Sequence, residues 1–384
     1  MTTGIPDRPL RILQVLEPSG GGSGRHFLDL CGSLAARGHQ VTAIYSPLRA
    51  EERFVSELRS LPLKSIHAVR MTRSPSPSDI RAWLAINRVI KAGGPFDVVH
   101  GHSSKAGALT RMRMPGAHVP RVYTPHAFRT MDPTLGANGR RIFGGIETLF
   151  GKYLTDALIC VSRDEQEHAA GELSIPRRVL HTIINGAAPP PTGHRDEIRA
   201  RLGVPHGAFV FGFVGRLSEQ KAPERLISAF QRMAPDAPQS HVVMIGFGPQ
   251  EADIRGQIAD TGFAARIHLT SSVPGPDAMQ AFDALVMPSR YEAMSYVMLE
   301  AAASGLPMIL ADVGGASTVL EHGGNGFLVA NSDNVAELSE AMKALVVPGT
   351  YAHMVAAAVG RKGDYLLDKM IHETERLYLT LASK

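Results

Sequence analysis

The chain has no run of eighteen apolar residues, and its opening (MTTGIPDRPLRILQVLEP) sets polar groups and two prolines ahead of a strand-length apolar stretch. Neither a helical membrane span nor a secretory leader is expected from that pattern. Cysteine is scarce: Cys31 and Cys160 stand alone and far apart, which excludes a disulfide framework and fits a reducing cytoplasm. No D-x-D pattern occurs, so no acidic pair offers to clamp a divalent metal on a diphosphate, and no metal or resident cofactor is expected. Basic residues such as Arg49, Arg53, Arg59, Lys64, Arg70 and Arg73 are scattered singly, without interleaved aromatics. Nucleic acid is therefore not an expected partner.

A length of 384 residues is too great for one typical core and predicts two domains. Charge divides unevenly between them. Up to Asn185 there are 24 Lys and Arg against 15 Asp and Glu, and after it 16 against 21. A basic first half fits an anionic partner, either a phosphorylated acceptor or an anionic membrane face, with a solubilising surface bias as the plain alternative.

Hydrophobic patterning alternates between strand-length and helix-length segments throughout. Leu10–Leu16 reads as a strand, followed by the glycine-rich turn SGGGSG (Ser19 to Gly24), a helix from about Arg25 and a second strand at Gln40–Tyr45. The glycines, Gly21 and Gly22 among them, permit close backbone approach at the strand's carboxyl end, and His26 lies at the helix entry. The strand PFDVVH is expected to end at His100, with His102, Ser103 and Lys105 on a polar loop beyond it. In an open parallel sheet ligands sit at the carboxyl ends of strands, so this loop and His26 are expected on the acceptor side, and His126, after the strand Arg121–Thr124, at the same rim. His100 and His102 lack a third metal ligand at suitable spacing. Ile142, Phe143, Ile146, Leu149, Phe150, Tyr153 and Leu154 make one apolar helical face behind Arg140 and Arg141; covering its own sheet is the expected role, with a membrane surface as the alternative. Pro189 to Pro191 mark a linker, giving domains at residues 1–186 and 187–384, with the last helix (about 364–382) free to cross back.

In the second half the strand FVFGFV runs into RLSEQK, so Arg216 and Lys221 bracket a tight loop suited to a diphosphate. Gly246 and Gly248 form a turn after the next strand. The stretch SRYEAMSYVMLEAAASGLP then places Glu292 on a loop ahead of a helix beginning near Ser295, whose unpaired amides suit phosphate. Glu300 sits about 7 Å along that helix, so the two carboxylates read as grips on separate hydroxyls of one extended ligand, not as an acid–base pair.

PSGGGSGRH, VVHGHSSKAG, TPHAF, VGRLSEQKAPERLI, IGFGP and MPSRYEAMSYVMLEAAASGLP together resemble the family 4 glycosyltransferases, in family order over nearly the whole chain. The resemblance implies an α/β GT-B fold: two doubly wound Rossmann-like domains facing across a cleft, an N-terminal acceptor-binding and a C-terminal nucleotide-sugar-binding one. It implies retaining transfer from a nucleotide sugar without metal, to a lipid-linked or otherwise phosphorylated glycan in polysaccharide assembly, by a cytoplasmic enzyme with a peripheral place on the membrane's inner face as an open reading. Arg216 and Lys221 resemble the diphosphate clamp and Glu292 the carboxylate holding the donor sugar. Glu300 resembles the ribose ligand, His126 the histidine beside the transferred sugar, and Gly21 and Gly22 the loop that closes on the substrates. Ala293, Met294, Ser295 and Tyr296 complete the donor side; Ala293 and Met294 stand where the family commonly has Gly and an aromatic. Another GT-B enzyme, such as a nucleotide-sugar epimerase or a soluble glucan synthase, and a non-catalytic nucleotide-sugar-binding regulator remain the competing readings.

Overall fold

The structure, a computed structural model, describes residues 8–114, 118–132, 135–188, 192–292 and 294–383. The three linker prolines and Ala293 lie outside the described residues. The chain divides into two compact units, Met1–Asn185 with Asp368–Lys384, and Gly186–Leu367.

The first unit holds a parallel sheet of β1 (Arg11–Leu16), β2 (Gln40–Tyr45), β3 (Ser65–Ala68), β4 (Val98–His102), β5 (Arg121–Thr124), β6 (Ala157–Cys160) and β7 (Leu180–Thr182), in the order β3-β2-β1-β4-β5-β6-β7. The second holds β8 (Phe209–Val214), β9 (Ser240–Ile245), β10 (Ile267–Thr270), β11 (Ala284–Met287), β12 (Met308–Ala311) and β13 (Gly326–Val329), in the order β10-β9-β8-β11-β12-β13. Both are doubly wound. Strand order reverses between β1 and β4 in one sheet and between β8 and β11 in the other, and the carboxyl ends at such a switch point open a ligand crevice. Central strands bury both faces, which is why β1 and β8 read as near-continuous apolar runs. Each fully buried aliphatic side chain there contributes ~1.5–3 kcal/mol.

Three boundaries differ from the sequence reading in ways that matter. The helix Gly21–Ala36 starts inside the glycine run, so Gly21 and Gly22 form its first turn. β4 continues through His102, which pairs with Leu16 and Thr124, so His100 and His102 are strand residues. The polar loop does not exist: the helix Ser103–Arg111 begins at once.

The helix Ala137–Tyr153 corrects the expected core packing. Its buried residues are Glu147 and Gly151, whereas Ile142 (61%), Ile146 (38%), Leu149 (54%) and Tyr153 (74%) are exposed. Glu147 is buried because it accepts from Arg111 Nη2 at 2.8 Å and from Tyr123 Oη at 3.0 Å. A charge so placed needs such partners. The inward face of this helix is thus polar and its outward face apolar.

The last helix, Leu367–Ala382, belongs almost wholly to the first unit. Glu375 receives Arg37 Nη1 at 2.6 Å and His39 Nε2 at 2.8 Å, while Arg37 also pairs with Asp368.

Candidate functional site

In the second unit, β8 and β11 bring together loops 71 residues apart, so that Lys221 Nζ donates to Glu292 Oε1 at 2.5 Å. Backbone and side-chain ties hold the two loops in register. Arg290 N donates to Gln220 O at 2.8 Å and Gln220 Nε2 to Tyr291 O at 3.1 Å. The Arg290 guanidinium reaches Glu219 O, Glu224 and Asp333. Arg225 adds bonds to Pro288 O, Asn331 and Asp333. Arg216 lies exposed beyond β8 and makes no ion pair among the described residues. Glu292 Oε2 likewise has no hydrogen bond there, which leaves one carboxylate oxygen for a ligand hydroxyl.

Gly246 and Gly248 have a packing reason to be glycine. A Cβ on Gly246 would lie 1.9 Å from Gly215 O, and one on Gly248 2.3 Å from Leu217 O. The bonds Gly215 N to Ile245 O and Leu217 N to Phe247 O, each 3.0 Å, draw the loops that close. These glycines shape the loop that carries Arg216. Across from it the helix Tyr296–Ser304 starts with Ser295 as N-cap, without a side-chain cap bond, so Ser295 leaves the first-turn amides uncovered. Met294 and Ser295 are buried at its mouth, and Tyr296 and Glu300 are half-buried on the helix.

In the first unit the switch point is built from histidine. Gln14 on β1, His100 and His102 on β4, Thr124 on β5 and Tyr378 on the last helix form one buried chain. His102 Nε2 donates to Gln14 Oε1 (2.8 Å), Gln14 Nε2 to Tyr378 Oη (3.0 Å), Tyr378 Oη to His100 Nδ1 (2.5 Å), and His100 Nε2 to Thr124 Oγ1 (2.8 Å). With the Gln14 amide in this orientation, this proton order satisfies every member. It leaves the His102 Nδ1 lone pair facing His126 Nε2, 3.1 Å away. His26 packs on the same group, its ring centroid 4.6 Å from that of His126.

Burial holds these rings neutral. It drives His26 down to about 4, and burial together with neighbouring imidazoles places His100, His102 and His126 well below the ordinary range. His126 (φ 55) and Ala127 (φ 85) both take left-handed backbone, a conformation that costs on the order of 1–3 kcal/mol per residue. Glu165 holds that turn: Ala127 N donates to its Oε1 at 2.8 Å and Val161 N to its Oε2 at 2.7 Å. Burial raises the Glu165 carboxyl to about 7.

The sheets gather most of the residues expected from sequence, but not all. Lys105 is turned away, paired with Asp79 Oδ2 at 2.5 Å and Ser74 O at 3.0 Å. Ser103 is half-buried at the head of its helix, with φ 64. Gly21 N donates to Glu51 Oε1 at 3.1 Å, so an acidic side chain already covers the glycine turn. Sequence reasoning missed Gln14, Thr124, Glu165, Arg225, Arg290 and Tyr378. Only Arg290 carried a signal, as the cation between two loops already singled out.

Two doubly wound units, each with its polar residues at the switch point of its own sheet, define a Rossmann-like two-domain protein of the GT-B kind. The family model described as Glycosyltransferase Family 4 matches residues 20–189, and that described as Glycosyl transferases group 1 matches residues 194–358. The chain belongs to the family 4 glycosyltransferases. It is 28% identical over 264 residues, 66% of this chain and 67% of the relative, to UDP-Gal:alpha-D-GlcNAc-diphosphoundecaprenol alpha-1,3-galactosyltransferase of Escherichia coli. It is also 28% identical to D-inositol 3-phosphate glycosyltransferase of Frankia alni, over 90% of this chain and 91% of that one. HepE of Anabaena, solved in complex with UDP, shares the fold with a TM-score of 0.79 at 20% identity, over 98% of this chain and 100% of that one.

Proposed function

We propose that this glycosyltransferase moves a hexose, with retention at the anomeric carbon, from a nucleoside-diphosphate sugar to a lipid-linked glycan in cell-surface polysaccharide assembly. The observation that carries the reading is the second switch point, where Lys221 pairs with Glu292 and where the loop bearing Arg216 and the helix starting after Ser295 follow the neighbouring strands β8 and β11. Two cations and a helix terminus suit a diphosphate leaving group, whose growing charge must be neutralised. No D-x-D pattern competes for that task, so transfer is expected to continue in EDTA. Glu292 Oε2 holds a sugar hydroxyl and Glu300 the ribose. The acceptor oxygen attacks the anomeric carbon on the face from which the diphosphate departs. Its proton passes to the departing phosphate oxygen, which needs positioning and charge stabilisation but no protein nucleophile. His26, His102 and His126 are the first unit's contribution to substrate binding.

The lipid-linked acceptor is supported by the Escherichia coli relative, whose acceptor is a diphosphoundecaprenol glycan, and by the helix Ala137–Tyr153. At 100° per residue, Ile142, Ile146, Leu149 and Tyr153 fall within roughly 60° of arc, with Arg141 and Lys152 along one border and Phe143 and Phe150 along the other. No single described helix is long and apolar enough to cross a membrane, so this stripe would lie on an anionic surface.

The test is a panel of UDP-, GDP- and ADP-sugars scored for nucleotide release with and without membrane lipid extract, the product's anomeric configuration being read by NMR. One donor turned over only with lipid, with configuration kept, is expected. Epimerised donor, turnover on soluble glucan alone, or binding without turnover would replace the proposal with another GT-B activity or a regulator.

A further inference from the structure

Three of the histidines in the first unit come from separate elements: His26 from the helix Gly21–Ala36, His102 from β4 and His126 from the turn after β5. One ring nitrogen from each lies within 4.8 Å of the other two. We propose that His26, His102 and His126 form a binding site for one zinc-type divalent transition-metal ion.

The donor set is chemically matched to that class. Neutral imidazole suits zinc and its neighbours and not magnesium or calcium, which take oxygen ligands. His102 is oriented by its Nε2 bond to Gln14, the outer-shell arrangement that fixes a metal-binding imidazole in the correct tautomer. Its Nδ1 lone pair already points at His126 Nε2 from 3.1 Å. Tetrahedral zinc with bonds of about 2.0–2.1 Å sets ligand nitrogens about 3.3 Å apart, so this pair is spaced for it and the widest distance must close by rotation of a side chain. On binding, His126 moves its proton from Nε2 to Nδ1, and no proton leaves the ring. His26 Nδ1 is buried and makes no hydrogen bond of good geometry, the Asn185 side chain being its polar neighbour, so only that contact competes for the ring. His100 is excluded as a ligand, since Tyr378 and Thr124 occupy both its nitrogens. The half-buried His126 leaves an entry side and a fourth position for water. If the ion binds, His126 is withdrawn from substrate, so zinc inhibits transfer and EDTA restores it. That consequence rests on the proposed transferase reading; the binding does not.

Titration of the metal-free full chain with Co2+, followed by its visible bands, separates the two. Saturation at one equivalent with a tetrahedral spectrum, displaced by Zn2+, is expected. His102→Gln and His126→Gln should each weaken binding at least about ten-fold, while His268→Gln, in a two-histidine pair on the second sheet, should not. Should a variant fail to fold, X-ray absorption of the zinc-loaded wild type counts the ligands directly. Three imidazoles and one oxygen support the site. No saturable binding, unchanged affinity in folded His102→Gln and His126→Gln, or two or fewer imidazoles would overturn it.

Discussion

Lys221 and Glu292 neutralise each other in the structure as it stands and tie their two loops together; the proposed transfer gives each a second task, to meet the donor. Glu292→Gln keeps the geometry of an acceptor for Lys221 while removing the charge, and should lower transfer by about 10²–10³ with little change in melting temperature. Tyr378→Phe acts differently, because it leaves Gln14 Nε2 without an acceptor and His100 Nδ1 without a donor. Each stranded group costs roughly 1–3 kcal/mol, and the loss should appear as a lowered denaturant midpoint. The buried histidines also predict a pH dependence. Their folded protonation lies below the unfolded value, so their contribution is complete above about pH 6.5 and falls as pH drops below it, by up to ~1.4 kcal/mol per ring per pH unit. Glu165, raised to about 7, opposes this, since its contribution is lost as pH rises from about 4.5 to 7. Four rings outweigh one carboxyl. Urea midpoints should therefore fall steeply from pH 7 to pH 5, and a flat profile would contradict the neutral cluster. None of these partnerships was legible in the sequence, because Gln14, His100 and Tyr378 are joined only by the fold. Histidines at strand ends stood out in the sequence; the polar partners that orient them did not.

At the level of elements, the helix Ala137–Tyr153 is where periodicity misled. Its apolar stripe was visible, and packing on its own sheet was the ordinary inference. A buried ion pair, Arg111 with Glu147, occupies that inner face instead. Ile142→Asn with Leu149→Asn changes only exposed positions, and should leave stability within about 0.5 kcal/mol while reducing cosedimentation with anionic vesicles. Unchanged vesicle binding would contradict the membrane role, and a monomer replacing a dimer would assign the stripe to a second copy. Glu147→Ala should do the reverse, costing about 3–5 kcal/mol because Arg111 is left buried and unpaired. Long central strands such as β1 and β8 were legible from their continuous apolar runs. β3, β7 and β13 were not, being edge strands of four, three and four residues with too few positions to set a period.

Taken whole, the two sheets use one strand order, and each gathers its polar residues where that order reverses. This regularity explains why motifs spread over 280 positions, Gly21 to Glu300, could be read as a few sites: carboxyl ends of neighbouring parallel strands converge without any sequence proximity. The most direct test of the donor site is the transfer rate of Arg216→Ala beside wild type with the same nucleoside-diphosphate sugar and lipid-linked acceptor. A folded variant slowed by at least about 10², with nucleoside monophosphate still bound, is the predicted result. Transfer at the wild-type rate would place the diphosphate, and with it the site, elsewhere.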